Sequence, residues 1–572
     1  MKHSKFSVFL LTVIFSLIVT CLVFQELRWD GEVSLSVTIE SDGHTEELFS
    51  YYDDENNIIY LFLPSYADLS ESFLYTHHPR SHTLTMDGVE ISRGMSLENI
   101  QLDHLYELSC QNGSQISTCS LTFLQSGNVP TMYITTASGT MDYIHEAKGN
   151  EEAGTITVYN ADGTLDHSGL LDQIKGRGNS TWGNYKNPYN FKLSQEADLL
   201  GMGQGQVWVL LAEFNDGTYF KNKTVYDFAK TVGMAYSPDC DWVDLYLNGE
   251  YYGLYLLCEH IDIHPNRLDI SKENSFLISI EGENRLKSQD IPHIPLAHSL
   301  ALRLRDTDME PEEIEAIWFS AQNAILAENG IDPITQKTWQ ELIDVDSWAM
   351  RYLIDEVFAN QDGGFISQYF YYDGNDPSGK IYAGPVWDMD LSMGQSGTVW
   401  QTRSPRSILA GRPHLNTELD QPLFYSLLQK EEFHNRVVEL YETVFLPALS
   451  ELLDEGLDAY ISKIKPPLLL WYGDWYYTYY TDHLEHTRQY MTDRIAFLND
   501  LWLEGGEYCF VQVNPNNYNV FGCFAVKPGE CLLEIPEFAG QHWYRYDTDE
   551  PFDITQPIYE DVSIYWLPTS NS

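Results

Sequence analysis

The sequence predicts an α+β protein of several domains, and three observations carry that reading. Strict apolar alternation just after the N-terminus marks a small all-β, sandwich-like domain. Helix-capping signals dominate beyond residue 309. One uncharged apolar run stands at the very N-terminus.

That run extends from Phe6 to Phe24, behind Lys2 and Lys5. Its nineteen residues fall within the roughly 17–25 that cross a bilayer as a helix. The next residues, Gln25-Glu26-Leu27-Arg28, offer no small-residue cleavage site, so residues 1–29 read as a signal or membrane anchor. A cleaved signal peptide, giving a secreted chain, and a lipidated Cys21 are the alternatives. The positive flank is N-terminal, which places the body outside the cytoplasm, at the cell surface.

From 30 to 128 the pattern is β. Val33-Ser34-Leu35-Ser36-Val37-Thr38-Ile39 alternates, and Ile58 to Leu63 reads as a buried strand. Ser41-Asp42-Gly43 and Met86-Asp87-Gly88 supply turns. Cys110 and Cys119 flank a hairpin-like turn, and in an exported chain they are expected to form a disulfide. Residues 129–503 mix strands with helices: 222–232, 309–329 opening on Pro311-Glu312-Glu313, one capped by Asp346-Ser347 and running to about Phe358, and 481–503. The aromatic cluster before the last helix (Trp471, Tyr472, Trp475, Tyr476, Tyr477, Tyr479, Tyr480) reads as core and interface packing. Residues 504–572 return to short β segments, with Cys509, Cys523 and Cys531.

Composition limits the function. The 572 residues hold 33 Lys+Arg against 84 Asp+Glu, a formal net charge of −51, which repels phosphate backbones and excludes nucleic acid as a partner. With 43% hydrophobic and 14% aromatic residues, the chain nonetheless builds large cores. At roughly 100–200 residues per domain, about two to four domains are expected. Eight Cys are too few for a disulfide scaffold.

The chemistry concentrates in Asn360 to Gly394, NQDGGFISQYFYYDGNDPSGKIYAGPVWDMDLSMG. A loop carrying Asp362 precedes a strand (368–372), a Gly/Asp/Pro turn, and a second strand (380–387) that ends in Asp388-Met389-Asp390. Residues i and i+2 of a strand share a face, so Asp388 and Asp390 can aim two carboxylates at one point. Converging carboxylates together with phosphate oxygens suit Mg²⁺. A loop acid, a hairpin and a metal-binding acid follow one another as in the catalytic segment of protein kinases. Where that pattern has a metal-binding Asn, this chain has Ser367 with Gln368 beside it, and either could supply an oxygen.

Upstream, Lys175 to Gly183 (KGRGNSTWG) is a glycine loop. Lys192 follows on a short strand, flanked by Phe191 and Leu193 of opposite facing. A lysine placed so holds nucleotide phosphates in kinases. In the next helix Asp227 can pair with Lys192, or with Lys223 at i−4. Residues 242–260 then form a hairpin turned at Asn248-Gly249, which ends at Glu259 beside the expected adenine position.

The blocks KGRGNSTWGNYKNPYNFKL, YFKNKTVYDFAKTVGM, DWVDLYLNGEYYGLYLLCEHID, NQDGG and VWDMDLSMG, in this order, resemble the CotH kinase family, the atypical kinases related to spore coat protein H. The resemblance covers roughly 129–503. It implies a protein-kinase-like bilobal domain using ATP and Mg²⁺ (or Mn²⁺) to phosphorylate Ser, or Thr, of protein substrates. It makes Asp362 the catalytic acid and Asp388 and Asp390 the metal ligands, with Ser367 or Gln368 as a further metal contact. Lys192, Gly176, Arg177, Gly178, Asn179, Ser180 and Glu259 become the ATP-binding set. The acidic field suits basic, Ser-rich acceptors. Because ATP is scarce outside the cytoplasm, a second reading is a membrane-anchored binding protein whose kinase-like domain is catalytically silent. A third, a glycoside hydrolase with paired carboxylates, leaves the glycine loop and Lys192 unexplained.

Overall fold

The computed structural model describes residues 29, 33–179, 181–297, 299–394, 404–412, 423–472, 474–513, 522–532 and 542–567, with the side chains of 472, 474–478, 566 and 567 excluded. The predicted anchor, Ser180 and the side chains of Tyr472, Trp475, Tyr476 and Tyr477 lie outside them. Among the described residues no helix is long and apolar enough to cross a membrane. The fold is mixed α/β, with five sheets among the described residues.

The first two sheets belong to residues 34–125. A four-stranded sheet (Ser34–Ser41, His44–Phe49, Ser72–His77, Met95–Ser96) and a six-stranded sheet that includes Ile58–Leu63 and Gln115–Gln125 share one core. The alternation read from the sequence buries Leu35, Val37 and Ile39 between them, against Leu61, Leu121 and Phe123. Cys110 and Cys119 are not joined as a disulfide. Register sets Cys110 opposite Ser117 and Cys119 opposite Leu108, so the two cysteines are offset along the hairpin rather than opposed.

Seven strands then close into a barrel: β1 (Thr131–Thr136), β2 (Glu151–Tyr159), β3 (Leu165–Gly176), β4 (Tyr189–Asp198), β5 (Gln204–Leu211), β6 (Cys240–Leu247) and β7 (Glu250–Glu259). Their order is β1-β2-β3-β4-β5-β7-β6, and a parallel β1/β6 pair makes the closure. Alternate residues fill the interior, among them Ile134, Ile156, Ile174, Phe191, Trp208, Leu245 and Leu257. The β6–β7 turn is the expected Asn248-Gly249, both residues at positive φ (53° and 83°), as a tight hairpin requires. Helix α1 (Lys221–Thr231) packs outside the barrel, and Lys223 pairs with Asp227 at 2.8 Å, the i,i+4 alternative.

The N-terminal sheets dock on this barrel through backbone and tyrosine contacts. Phe49 N–H donates to Gly249 O (2.8 Å), Tyr246 hydroxyl donates to Phe62 O (3.2 Å), and the Tyr66 and Tyr133 hydroxyls meet at 2.8 Å. Trp471 packs edge-on against Tyr251, and Tyr480 is buried.

A five-stranded antiparallel sheet follows, in the order β9-β10-β8-β11-β12: β8 (Phe276–Gly282), β9 (His293–Pro295), β10 (Leu300–Thr307), β11 (Gln368–Tyr372) and β12 (Ile381–Ala383). Helices α2 (Pro311–Leu326), α3 (Val345–Val357), α4 (Glu431–Leu440), α5 (Leu457–Tyr472) and α6 (Asp474–Asn499) accompany it. Pro311 opens α2, with Glu312 and Glu313 in the first turn favoured by the helix dipole. The cap of α3 is Asp344, accepting from Ser347 N–H at 2.9 Å, two residues before the expected Asp346. The last helix begins at Asp474, earlier than the expected 481.

A buried ion pair joins distant parts of this region. Arg494 of α6 meets Glu356 of α3 at 2.7 Å, both side chains excluded from solvent. The same Glu356 carboxylate accepts from Leu409 and Gly411 N–H, and Arg494 donates to the Pro405 and Ser407 carbonyls. The C-terminal sheet of five strands is stitched to this segment by Ile408 N–H to Cys523 O and Ala525 N–H to Arg406 O.

Candidate active site

A cleft of about 580 Å³ opens between the barrel and the five-stranded sheet. That size lies within the roughly 300–1,000 Å³ typical of small-molecule sites. Acids and cations both line it.

Three of its acids come from two loops. Asp362 follows α3 on a turn in which Gly363 N–H donates to Asn360 O. Asn360 is itself buried and held by Asp355, the partner of the buried Arg351. Asp388 accepts from Ser367 Oγ at 2.7 Å, and Asp390 from Asn215 Nδ2 at 3.0 Å. All three carboxylates line the cleft.

The sequence placed Asp388 and Asp390 on a strand, and the structure corrects this. Strand β12 ends at Ala383, because Pro385 has no N–H to continue the ladder. Asp388 then adopts a left-handed φ of 55°. The acids converge through this loop rather than through strand alternation. Met389 between them is buried, and its N–H donates to Asn222 Oδ1 at 2.7 Å. Asn222 also donates Nδ2 to both carboxylate oxygens of buried Glu213, at 3.1 and 3.2 Å.

Burial, and after it crowding of like charge, raises several acids of the cleft. Burial, then Asp388 and Asp390, pushes Asp362 up to about 7. Burial, then Asp388, pushes Asp390 up to about 6. Burial, then Asp216 and Asp390, holds Glu213 well above the ordinary carboxylate range. Among the described residues no three His, Cys, Asp or Glu are drawn together tightly enough to hold a metal ion as they stand. The donor chemistry nonetheless suits a hard divalent cation: anionic oxygens only, with excess negative charge that a cation would neutralise.

Cations line the same cleft. Arg303 and Arg305 sit two apart on β10, and Arg285, Arg177 and Lys148 join them around the cleft. Glu281 pairs with Arg305 (2.8 Å) and with Arg285. Arg303 Nε is buried without a hydrogen-bond partner among the described residues, and burial, then Arg305, pushes this guanidinium down to about 10. A buried orphan donor among mutually repelling cations fits an anion with several oxygens, such as a polyphosphate.

The glycine loop forms the barrel's contribution. Gly176, Arg177, Gly178 and Asn179 line the cleft. A Cβ on Gly176 would strike the Trp182 ring, and one on Gly178 (φ 84°) would strike Thr181 Oγ1. Arg177 lies over the Trp387 ring at 5.6 Å, and Lys148 Nζ donates to Gly178 O at 2.8 Å.

Three predicted residues stand elsewhere. Lys192 shares a strand face with Asn190, but the cleft ends at Asn190, and Lys192 faces Asp172 at 3.7 Å on the outer surface. Another lysine of its block, Lys186, is buried beneath the cleft lining, where burial pushes it down to about 7. Its Nζ donates to Ala212 O at 3.2 Å and to Leu254 O. Glu259 turns away from the cleft and accepts from Asp239 N–H at 2.7 Å, while His260 and Ile261 line it. Gln368 accepts from buried Arg351 Nε at 3.1 Å and does not reach the cleft. Ser367 does line it.

Sequence reading missed Lys148, Arg285, Arg303 and Arg305. The signal was available in Leu302-Arg303-Leu304-Arg305, which puts two cations on one strand face of a chain with few cations to spare.

No curated protein matches this chain. The family model described as CotH kinase protein matches residues 174–498, more than half of the chain. That span takes in every cleft-lining residue except Lys148; the chain belongs to the CotH kinase family.

Proposed function

We propose that this chain is an atypical, bilobal protein kinase that transfers the ATP γ-phosphoryl group to Ser, and secondarily Thr, of basic protein acceptors. The observation that supports it is that carboxylates and arginines line one and the same cleft, within the span of the family match. Asp388 and Asp390, oriented by Ser367 and Asn215, would hold Mg²⁺ or Mn²⁺. Such an ion neutralises charge on phosphate oxygens. Arg303, Arg305, Arg177 and Lys148 would bind those oxygens as well, beside the glycine loop. Asp362, with its raised proton affinity, takes the proton of the acceptor hydroxyl.

The protein is proposed to be anchored by residues 6–24 with its body outside the cytoplasm. Protease added to intact cells should then reach residues 30–572; protection until lysis would place the body inside. The displacement of Lys192 from the cleft favours a second reading, a surface protein that binds a partner without turnover. Incubation with labelled ATP, Mg²⁺ or Mn²⁺ and a basic Ser-rich peptide decides between them. Transfer that disappears in Asp362→Asn supports the kinase. Equal label from the parent and that variant, or none from either, favours the silent binder.

A further inference from the structure

A second pair of cysteines is placed where the first pair is not. Cys240 opens β6 and Cys258 lies near the end of β7, and register sets them directly opposite. Glu259 N–H donates to Asp239 O at 3.0 Å, which makes the Cys240–Cys258 pair one without hydrogen bonds between its own backbones. In such pairs the Cα atoms stand about 4.5 Å apart with side chains on one face. A disulfide requires a Cα separation of roughly 4.4–6.8 Å. Both side chains enter the same buried core, beside Trp242, Leu256 and Phe228. Both are free thiols in this structure, in side-chain contact with each other.

We propose that Cys240 and Cys258 form a cross-strand disulfide while this hairpin folds, by exchange with a disulfide-bearing oxidant such as oxidised glutathione or a thiol oxidoreductase. One cysteine thiolate attacks the oxidant's disulfide and releases one of its sulfurs as a thiol. The second cysteine thiolate attacks the mixed disulfide, the remaining sulfur leaves, and the oxidant takes up the two electrons and two protons. Burial in the finished core suppresses the thiolate, so exchange belongs to an earlier stage. The tight turn at Asn248-Gly249 makes the contact local, so the two thiols can meet before distant strands close the barrel. The staple would fix the strand that leads into His260 and Ile261 of the cleft wall. It does not depend on phosphoryl transfer.

The test uses the full chain produced in an oxidising compartment, denatured with an alkylating reagent and no reductant, and mapped by mass spectrometry. The expected result is a linked peptide pair holding Cys240 and Cys258, two hydrogens lighter than the separate peptides. The linkage should resist reductant in the folded protein and yield to it in denaturant. Recovery of both cysteines alkylated, or of either joined to another cysteine, overturns the proposal. In Cys240→Ala the linked pair should vanish and Cys258 should become alkylatable. A Cys258 that stays blocked there also overturns it.

Discussion

Asn222 holds the backbone of Met389: its Oδ1 accepts the Met389 N–H at 2.7 Å while its Nδ2 grips Glu213. One amide thus fixes the residue between the two cleft acids from a helix 167 positions away in sequence. Asn222→Ala should cost about 1–3 kcal/mol by leaving a buried donor and a buried carboxyl unmatched. It should also weaken Mg-dependent nucleotide binding while leaving Asp388 and Asp390 in place chemically. Denaturant unfolding beside calorimetry checks both effects.

Asp388 and Asp390 should separate from Asp362 in their variants. Asp388→Asn or Asp390→Asn removes an anionic oxygen from a hard cation's site, and nucleotide binding should lose its metal dependence. Asp362→Asn should keep binding and lose transfer, by roughly 10²–10⁴-fold. Calorimetry of Mg-ATP binding with a parallel transfer assay distinguishes them. If all three bind and turn over like the parent, the kinase assignment fails.

Arg303→Ala should weaken nucleotide affinity by roughly 10–100-fold, the worth of a charge-assisted hydrogen bond of about 1.5–3 kcal/mol. Lys192→Ala should leave it unchanged, since that ammonium faces Asp172 on the outer surface. Titration of both variants with Mg-ATP tests the contrast. Equal losses would return Lys192 to the cleft.

Without divalent cations, thermal stability should fall as pH rises from about 4 to about 7. Asp362 and Asp390 bind protons more tightly folded than unfolded, at about 7 and about 6, so deprotonation favours the unfolded chain over that window. Buried Asp244 and Glu259, at about 6 and about 7, act in the same direction. Asp362→Asn should flatten the slope, and Mg²⁺ should restore more stability at about pH 7 than at about pH 5. Melting curves with chelator and with Mg²⁺ measure this; a stability that rises with pH in both proteins would contradict it.

Local signals survived into the structure where one element decides them. Pro311 set the start of α2, Asn248-Gly249 set the hairpin, and alternation set the burial of Leu35, Val37 and Ile39. The three cleft acids were legible as residues, though not as geometry: the chain leaves its strand at Ala383, and Asp388 reaches the cleft through a left-handed turn. What escaped depends on distant partners. The parallel β1/β6 pair that closes the barrel joins segments about a hundred residues apart, and nothing in either strand announces the other. Lys192 looked apt by spacing, but the end of the cleft at Asn190 is a tertiary fact. Cys110 and Cys119 looked apt by proximity, and register separated them.

The Glu356–Arg494 pair has a consequence for how the protein is made. Chains emerge from the ribosome N-terminus first, and domains tend to fold as they appear. The acids of the cleft and the 404–412 segment are all translated before Arg494 exists. Until it arrives, Glu356 would be a carboxylate in a dry interior without its cation, and breaking such a pair costs about 3–5 kcal/mol. Nascent chains that already contain every cleft acid therefore keep this lobe open until α6 docks. A nonsense codon anywhere between 413 and 493 yields a protein with all its cleft acids and no settled site.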